Sequence, residues 1–204
     1  MAREKLTKRA IQGMETRQKI FDTSLDLFNR HGYENVTIDD ICEKIGVSKG
    51  AFYTHFKSKD QVILENFLSL NAYYDEVFAS LPGKKNALEK LFLFQQSVMK
   101  NIAAIGYEAV KLVYHLETAP HSKKSFLLSK KHSLYRIITL LVREGQRSGQ
   151  IRKDKSADAI TSMMIQLYRG IILDWCLDNG AYDLVRSVNS MMPFVYESIR
   201  PPRA

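Results

Sequence analysis

Residues 46–57 read Gly-Val-Ser-Lys-Gly-Ala-Phe-Tyr-Thr-His-Phe-Lys. On a helix advancing about 100° per residue, Phe52 and Phe56 fall about 40° apart and share one face. Gly50, Thr54 and Lys57 fall on the far side, about 140–200° from Phe52, with Tyr53 at its margin near 100°. Such a face carries hydroxyls, an ammonium and a bare glycine. It can exchange hydrogen bonds with phosphate oxygens and base edges, and the glycine admits a close backbone approach. The two rings would hold the helix while the bare face meets a groove. Other chemistry is hard to assemble: no nucleophile–base pair, glycine-rich phosphate loop or pair of carboxylates stands out, which argues against an enzyme. His115 with Glu117, and His121 with His132, lack the one-face i, i+4 spacing and third ligand that zinc requires, so neither a metal nor a cofactor is expected.

On an isolated short helix, Tyr53 and His55 would read as ordinary surface residues. The elements that position them decide the matter. Apolar residues recur at three- and four-residue steps nearly throughout, and no segment alternates with period two, so the chain is expected to be all-α. A first helix spans about 15–30, with Phe21, Leu25 and Phe28 on one face. Thr37 opens a second, since Thr37-Ile-Asp-Asp40 approximates a capping box, and Gly46 closes it. Ser48 caps the short third helix, which ends near Phe56. Only Gly46-Val47 separates the second helix from that cap, the spacing of a helix-turn-helix, whose second helix enters the DNA major groove. Ser58 caps a fourth helix that runs to Pro82-Gly83. Further helices are expected at about 85–104, 106–117, 122–147, 155–178 and 182–199, about nine in all.

The stretch from Thr37 to Asp60, Thr-Ile-Asp-Asp-Ile-Cys-Glu-Lys-Ile-Gly-Val-Ser-Lys-Gly-Ala-Phe-Tyr-Thr-His-Phe-Lys-Ser-Lys-Asp, resembles the signature of the TetR family of bacterial transcriptional regulators. The match extends upstream through Ile20, Leu27, Phe28 and Gly32-Tyr33 and covers roughly residues 15–68. Cys42 and Ile45 depart from it, at positions where relatives commonly have alanine. The resemblance implies a basic N-terminal arm (1–14), a helix-turn-helix DNA-binding domain (15–60, motif 37–56) and a helical ligand-binding and dimerisation domain (61–204). It implies DNA contacts by Thr37, Ser48, Lys49, Gly50, Tyr53, His55 and Lys59, with Thr54 as a base reader. Lys57 points outward as a general attractor of phosphate. The implied function is a homodimeric repressor that binds a near-palindromic double-stranded operator and releases it on binding a small molecule. A ligand-independent architectural DNA-binding protein of the same fold is the alternative.

Composition bounds the rest. With 45% apolar and 25% charged residues, the chain is ordinary for a globular protein, and no apolar run approaches the roughly 18 residues a membrane helix needs. Cys42 and Cys176 are too far apart for a metal or disulfide framework, which fits a cytoplasmic setting. The net charge of +8 is uneven: residues 121–155 hold ten basic against two acidic side chains. Lys123, Lys124, Lys130, Lys131, Arg136, Arg143 and Arg147 read as a solvated face, with an anionic ligand or long-range attraction of DNA as the other readings. The last two helices are apolar on two sides and need two partners, one of which is a second copy. Met164, Ile171, Trp175, Val188, Met192 and Val195 are the candidate dimer residues. Phe94, Met99, Tyr107, Tyr114, His115, Tyr135 and Gln166 form an apolar set with a few polar groups, the composition of a small-molecule site.

Overall fold

The computed structural model describes residues 7–118 and 127–202. Among these the chain forms nine helices and no strand: α1 (Lys8–His31), α2 (Ile38–Ile45), α3 (Lys49–His55), α4 (Lys59–Ser80), α5 (Ala87–Ile105), α6 (Tyr107–Thr118), α7 (Ser133–Arg147), α8 (Ala157–Leu177) and α9 (Leu184–Ser198). It divides into two compact units, Met1–Leu68 and Ser69–Ala204, and α4 runs through the division.

Local chemistry sets the first unit. Thr37 and Asp40 form the reciprocal capping box of α2. The Asp40 carboxyl is held below its ordinary range, first by the Thr37 hydroxyl and then by the Thr37 backbone N–H. Gly46 closes α2 in the left-handed region at φ 71°, donating to the Cys42 and Glu43 carbonyls. Ser48 Oγ then accepts from the Ala51 N–H at 3.2 Å and opens α3. Ile20, Ile41, Phe52, Phe56, Val62 and Ile63 are all but fully buried as the core. The Phe52 and Phe56 rings lie 5.9 Å apart, and Phe21 stacks on Phe56 at 6.4 Å. α1 begins at Lys8, about two turns ahead of the expected start near Glu15. The Thr7 hydroxyl caps it, and apolar periodicity could not mark that start because Ile11 and Met14 are exposed.

In the second unit α5 packs against α6, α7 and α9, while α8 packs against α6, α7 and α9. Leu91, Phe94 and Met99 of α5, Ile137 and Leu141 of α7, and Met164 of α8 are buried between them. α7 starts at Ser133 rather than near residue 122. Its N-cap His132 supplies no side-chain cap. Instead Asn71 Oδ1, from α4, accepts from the Ser133 N–H at 2.9 Å and lies 2.8 Å from His132 Nδ1. Asp75 accepts from Ser133 Oγ at 3.0 Å and pairs with Arg136. His121, Lys123 and Lys124 lie outside the described residues. Of the remaining basic run, Lys130 and Lys131 precede α7, and the Lys130 ammonium sits 5.3 Å from the Tyr135 ring centroid. Arg143 pairs with Asp158 at 3.6 Å, and Arg147 is exposed. No helix among the described residues is long and apolar enough to cross a membrane.

Candidate nucleic-acid interface

The first unit leaves one side of α3 bare. Ser48, Lys49, Gly50, Tyr53 and Thr54 are exposed, as is Lys57 just beyond the helix, whereas Phe52 and Phe56 are buried. Tyr53 retains 54% of its surface and lies edge-to-face with Phe52 at 5.7 Å, so its ring is braced at the base and free at the hydroxyl end. A Cβ placed on Gly50 would meet only Ser48 Oγ, at 3.7 Å. Nothing inside the unit therefore demands a glycine there, and its smallness faces outward. The Thr54 hydroxyl donates to the Gly50 carbonyl at 2.8 Å, which leaves its oxygen lone pairs and methyl group to present to a base edge.

Three further expected contacts also have internal partners. The Thr37 hydroxyl both donates to Asp40 Oδ2 at 2.7 Å and accepts from the Asp40 N–H at 3.1 Å. Lys49 Nζ lies 2.8 Å from Asp39 Oδ2, a pair that crosses from α3 to the first turn of α2. Hydrogen bonding to Asp39, and then its charge, raise the Lys49 ammonium above its ordinary pKa. Lys59 differs most from expectation. Its ammonium donates to the Tyr33 and Val36 carbonyls at 2.9 and 2.6 Å and lies 4.3 Å from the Tyr33 ring centroid. The charge that was expected to face a phosphate instead ties the start of α4 to the loop before α2. The Tyr33 hydroxyl donates to Asp60 beside it, and burial followed by that carboxylate raises the phenol's pKa. His55 is half-buried at the end of α3. Asp39, Tyr33 and Asp60 are the site residues that sequence patterning missed. Asp39 alone had a signal, an acid at the first turn of the helix that precedes Lys49.

The expected effector set is not gathered at one place. Phe94 and Met99 are each 1% exposed, as core, while His115 and Gln166 lie on the surface. The Tyr135 hydroxyl meets Ser162 Oγ at 3.2 Å near the start of α8, and the Tyr114 hydroxyl donates to the Arg169 carbonyl at 3.1 Å. Tyr107 packs on Trp175 at 6.2 Å near the end of α8. From residue 162 to 175 is about 20 Å of helix, so these three tyrosines mark separate points along it.

The expected dimer residues lie mostly inside the single subunit. Met164, Ile171, Trp175, Val188 and Met192 are 0–9% exposed within the single subunit, so the chain's own core already covers them; only Val195 is partly exposed. The apolar side chains left uncovered are Leu167, Leu173 and Leu177 on α8 and Met191 and Phe194 on α9, the last 80% exposed. Gly170 lies among them, with nothing within 4 Å of where its Cβ would stand. Both helices do have two apolar sides, but the free one is rotated from the stripe the sequence suggested.

Residues 20–65 match the profile of the family described as bacterial regulatory proteins, tetR family. The chain is similar to a probable acrEF/envCD operon repressor of Escherichia coli (strain K12), 21% identical over 93% of this chain and 89% of the relative. It is also similar to the fatty acid metabolism regulator protein of Bacillus subtilis (strain 168), 20% identical over 89% of this chain and 94% of the relative. Among solved structures, FadR from Bacillus subtilis in complex with stearoyl-CoA superimposes with a TM-score of 0.66 at 22% identity, over 90% of this chain and 99% of that one.

Proposed function

From the premise that the chain belongs to the TetR family of bacterial regulatory proteins, we propose that it is a homodimeric transcriptional repressor that reads a near-palindromic operator through α3 and releases it on binding a small molecule. One observation carries the reading: α3 buries its aromatic face completely while an unobstructed face of Ser48, Lys49, Gly50, Tyr53 and Thr54 stays in solvent. That division of labour suits a helix that is held rigidly and inserted into a major groove. Lys59, Tyr33 and Asp60 support it from behind by fixing the start of α4 against the loop that leads into α2.

Dimerisation is assigned to the uncovered side chains of α8 and α9. A symmetric pair brings the same patch from both copies together, and Gly170 allows the helices to approach closely. The second unit, Ser69–Ala204, is the effector domain of this reading. The solved FadR of Bacillus subtilis in complex with stearoyl-CoA supports an effector with an apolar body, and a DNA-reading role suits a cytoplasmic protein.

The test is selection of bound fragments from random duplex DNA, followed by a screen for compounds that lower affinity for the selected fragment. The reading expects two inverted half-sites about one helical turn apart or a multiple of it, and at least one releasing compound. Fragments without a shared sequence, bound equally with and without every compound, would favour an architectural role.

A further inference from the structure

Between α5, α8 and α9, inside the second unit, three polar side chains form a chain in apolar surroundings. Tyr168 and Gln95 are 3% and 1% exposed, and Tyr196 is partly exposed. The side chains of Tyr168 and Tyr196 interact, and burial is the first cause that raises the pKa of both phenols. Tyr196 in turn donates to Gln95 Oε1 at 2.7 Å. That length is typical of O–H···O and short for N–H···O, which places the amide oxygen toward Tyr196. Gln95 Nε2 is left without a partner. Turned over, the amide would leave its oxygen unmet at the same buried position, so one amide atom lacks a partner either way, and the 2.7 Å contact selects the arrangement that ends on a buried N–H pair.

The surroundings say what kind of acceptor fits. Burial is the first cause that raises the pKa of both tyrosines, and no cation is among the causes for either. A carboxylate entering here would meet no compensating charge, whereas a neutral carbonyl needs none. Met99, Met164 and Met192 each stand one helical turn from a member of the chain, on α5, α8 and α9 respectively, and all are at most 1% exposed. Unbranched thioether side chains change rotamer readily and make room for a guest. The partly exposed rings of Phe92 and Tyr196 meet edge-to-face at 6.4 Å.

We propose that Gln95 is the polar anchor of an effector subsite between α5, α8 and α9, and that it donates its unmet N–H to the carbonyl of a neutral, otherwise apolar small molecule. This rests on the effector-domain reading above and deepens it by naming the ligand class.

The probe is 2-decanone, with decane as the control that lacks an acceptor, added to the full-length protein labelled with ¹⁵N at glutamine side chains. The Gln95 amide pair is assigned from its absence in Gln95→Met. The expected result is a shift of that pair on adding the ketone, with ketone affinity about tenfold lower in Gln95→Met, while decane binds both proteins alike. Tyr196→Phe, which leaves Nε2 in place, keeps ketone affinity within about threefold of wild type, so general loosening of the core is separated from loss of the anchor. The inference is overturned if the ketone fails to bind, if Gln95→Met binds it as tightly as wild type, or if the amide pair exchanges with a bound water that the ketone does not displace. Operator binding is measured separately without ketone, so a failure of DNA reading is not confused with a failure of the subsite. Ketone bound at Gln95 with operator affinity unchanged would overturn its role as an effector site.

Discussion

Phe194→Ala isolates the assembly claim, because this ring does almost nothing for its own subunit. It is 80% exposed in the single chain, whereas its neighbour Met192 is fully buried. Burying a whole phenylalanine side chain is worth about 1.5–3 kcal/mol. Taking the exposed four-fifths, and allowing for the methyl group that alanine retains, leaves about 1.5 kcal/mol per subunit. Two-fold symmetry doubles this to about 3 kcal/mol, or about a hundredfold in the dimer dissociation constant. Sedimentation velocity over a dilution series reads that constant directly. Circular dichroism of the variant should be unchanged at concentrations where both proteins are dimeric, because the ring's removal leaves no cavity inside the subunit. By contrast Met192→Ala, at a fully buried site, should lower the unfolding free energy by about 2–5 kcal/mol. A Phe194→Ala dimer that dissociates within threefold of wild type would refute the assignment of this surface to the interface.

Two further outcomes are expected. Asp39→Asn should release the Lys49 ammonium, so that non-specific duplex DNA binds more tightly and the slope of log K against log salt steepens by about 0.9, the effect of one added phosphate contact; an unchanged slope in an anisotropy titration would mean that the pair does not restrain the lysine. Burial pushes the Cys176 thiol up to about 11, so at pH 8 only about one thiol in a thousand is thiolate, and reactivity should rise toward pH 11 as the proton is lost. Cys176 in the native protein should therefore resist iodoacetamide at pH 8, and rapid labelling there, read by mass spectrometry, would contradict its burial.

How much of this could be read beforehand follows from how local each determinant is. The caps of α2 and α3 were legible because Thr37, Asp40, Gly46 and Ser48 act on backbone groups within four residues. The start of α7 was not legible, because its first N–H is met by Asn71, more than sixty residues earlier in the chain. Periodicity revealed that α9 is apolar on two sides. It could not say which side the chain itself covers, and Met191 and Met192, about 100° apart on the helix, have opposite fates. Lys59 carried the right charge at the expected position, but only the fold brings the Tyr33 and Val36 carbonyls to its ammonium. The aromatic residues of the middle helices were correctly seen as abundant. Composition has no coordinate, however, and they proved to be spread along α8. Gln95 went unnoticed because a single amide on an apolar helix has no sequence signature; its meaning comes from a tyrosine 101 positions away.

In the proposed reading the bare face of α3 reads DNA, and Tyr53 is the large apolar side chain exposed on it. The direct test is the affinity of Tyr53→Ala for the duplex selected by the wild-type protein, measured by fluorescence anisotropy at fixed salt beside a scrambled duplex. Truncation should cost about 1–3 kcal/mol on the selected duplex, about five- to 150-fold in affinity, with far less change on the scrambled one and no change in thermal unfolding. Equal affinities of Tyr53→Ala and wild type for the selected duplex would contradict the account.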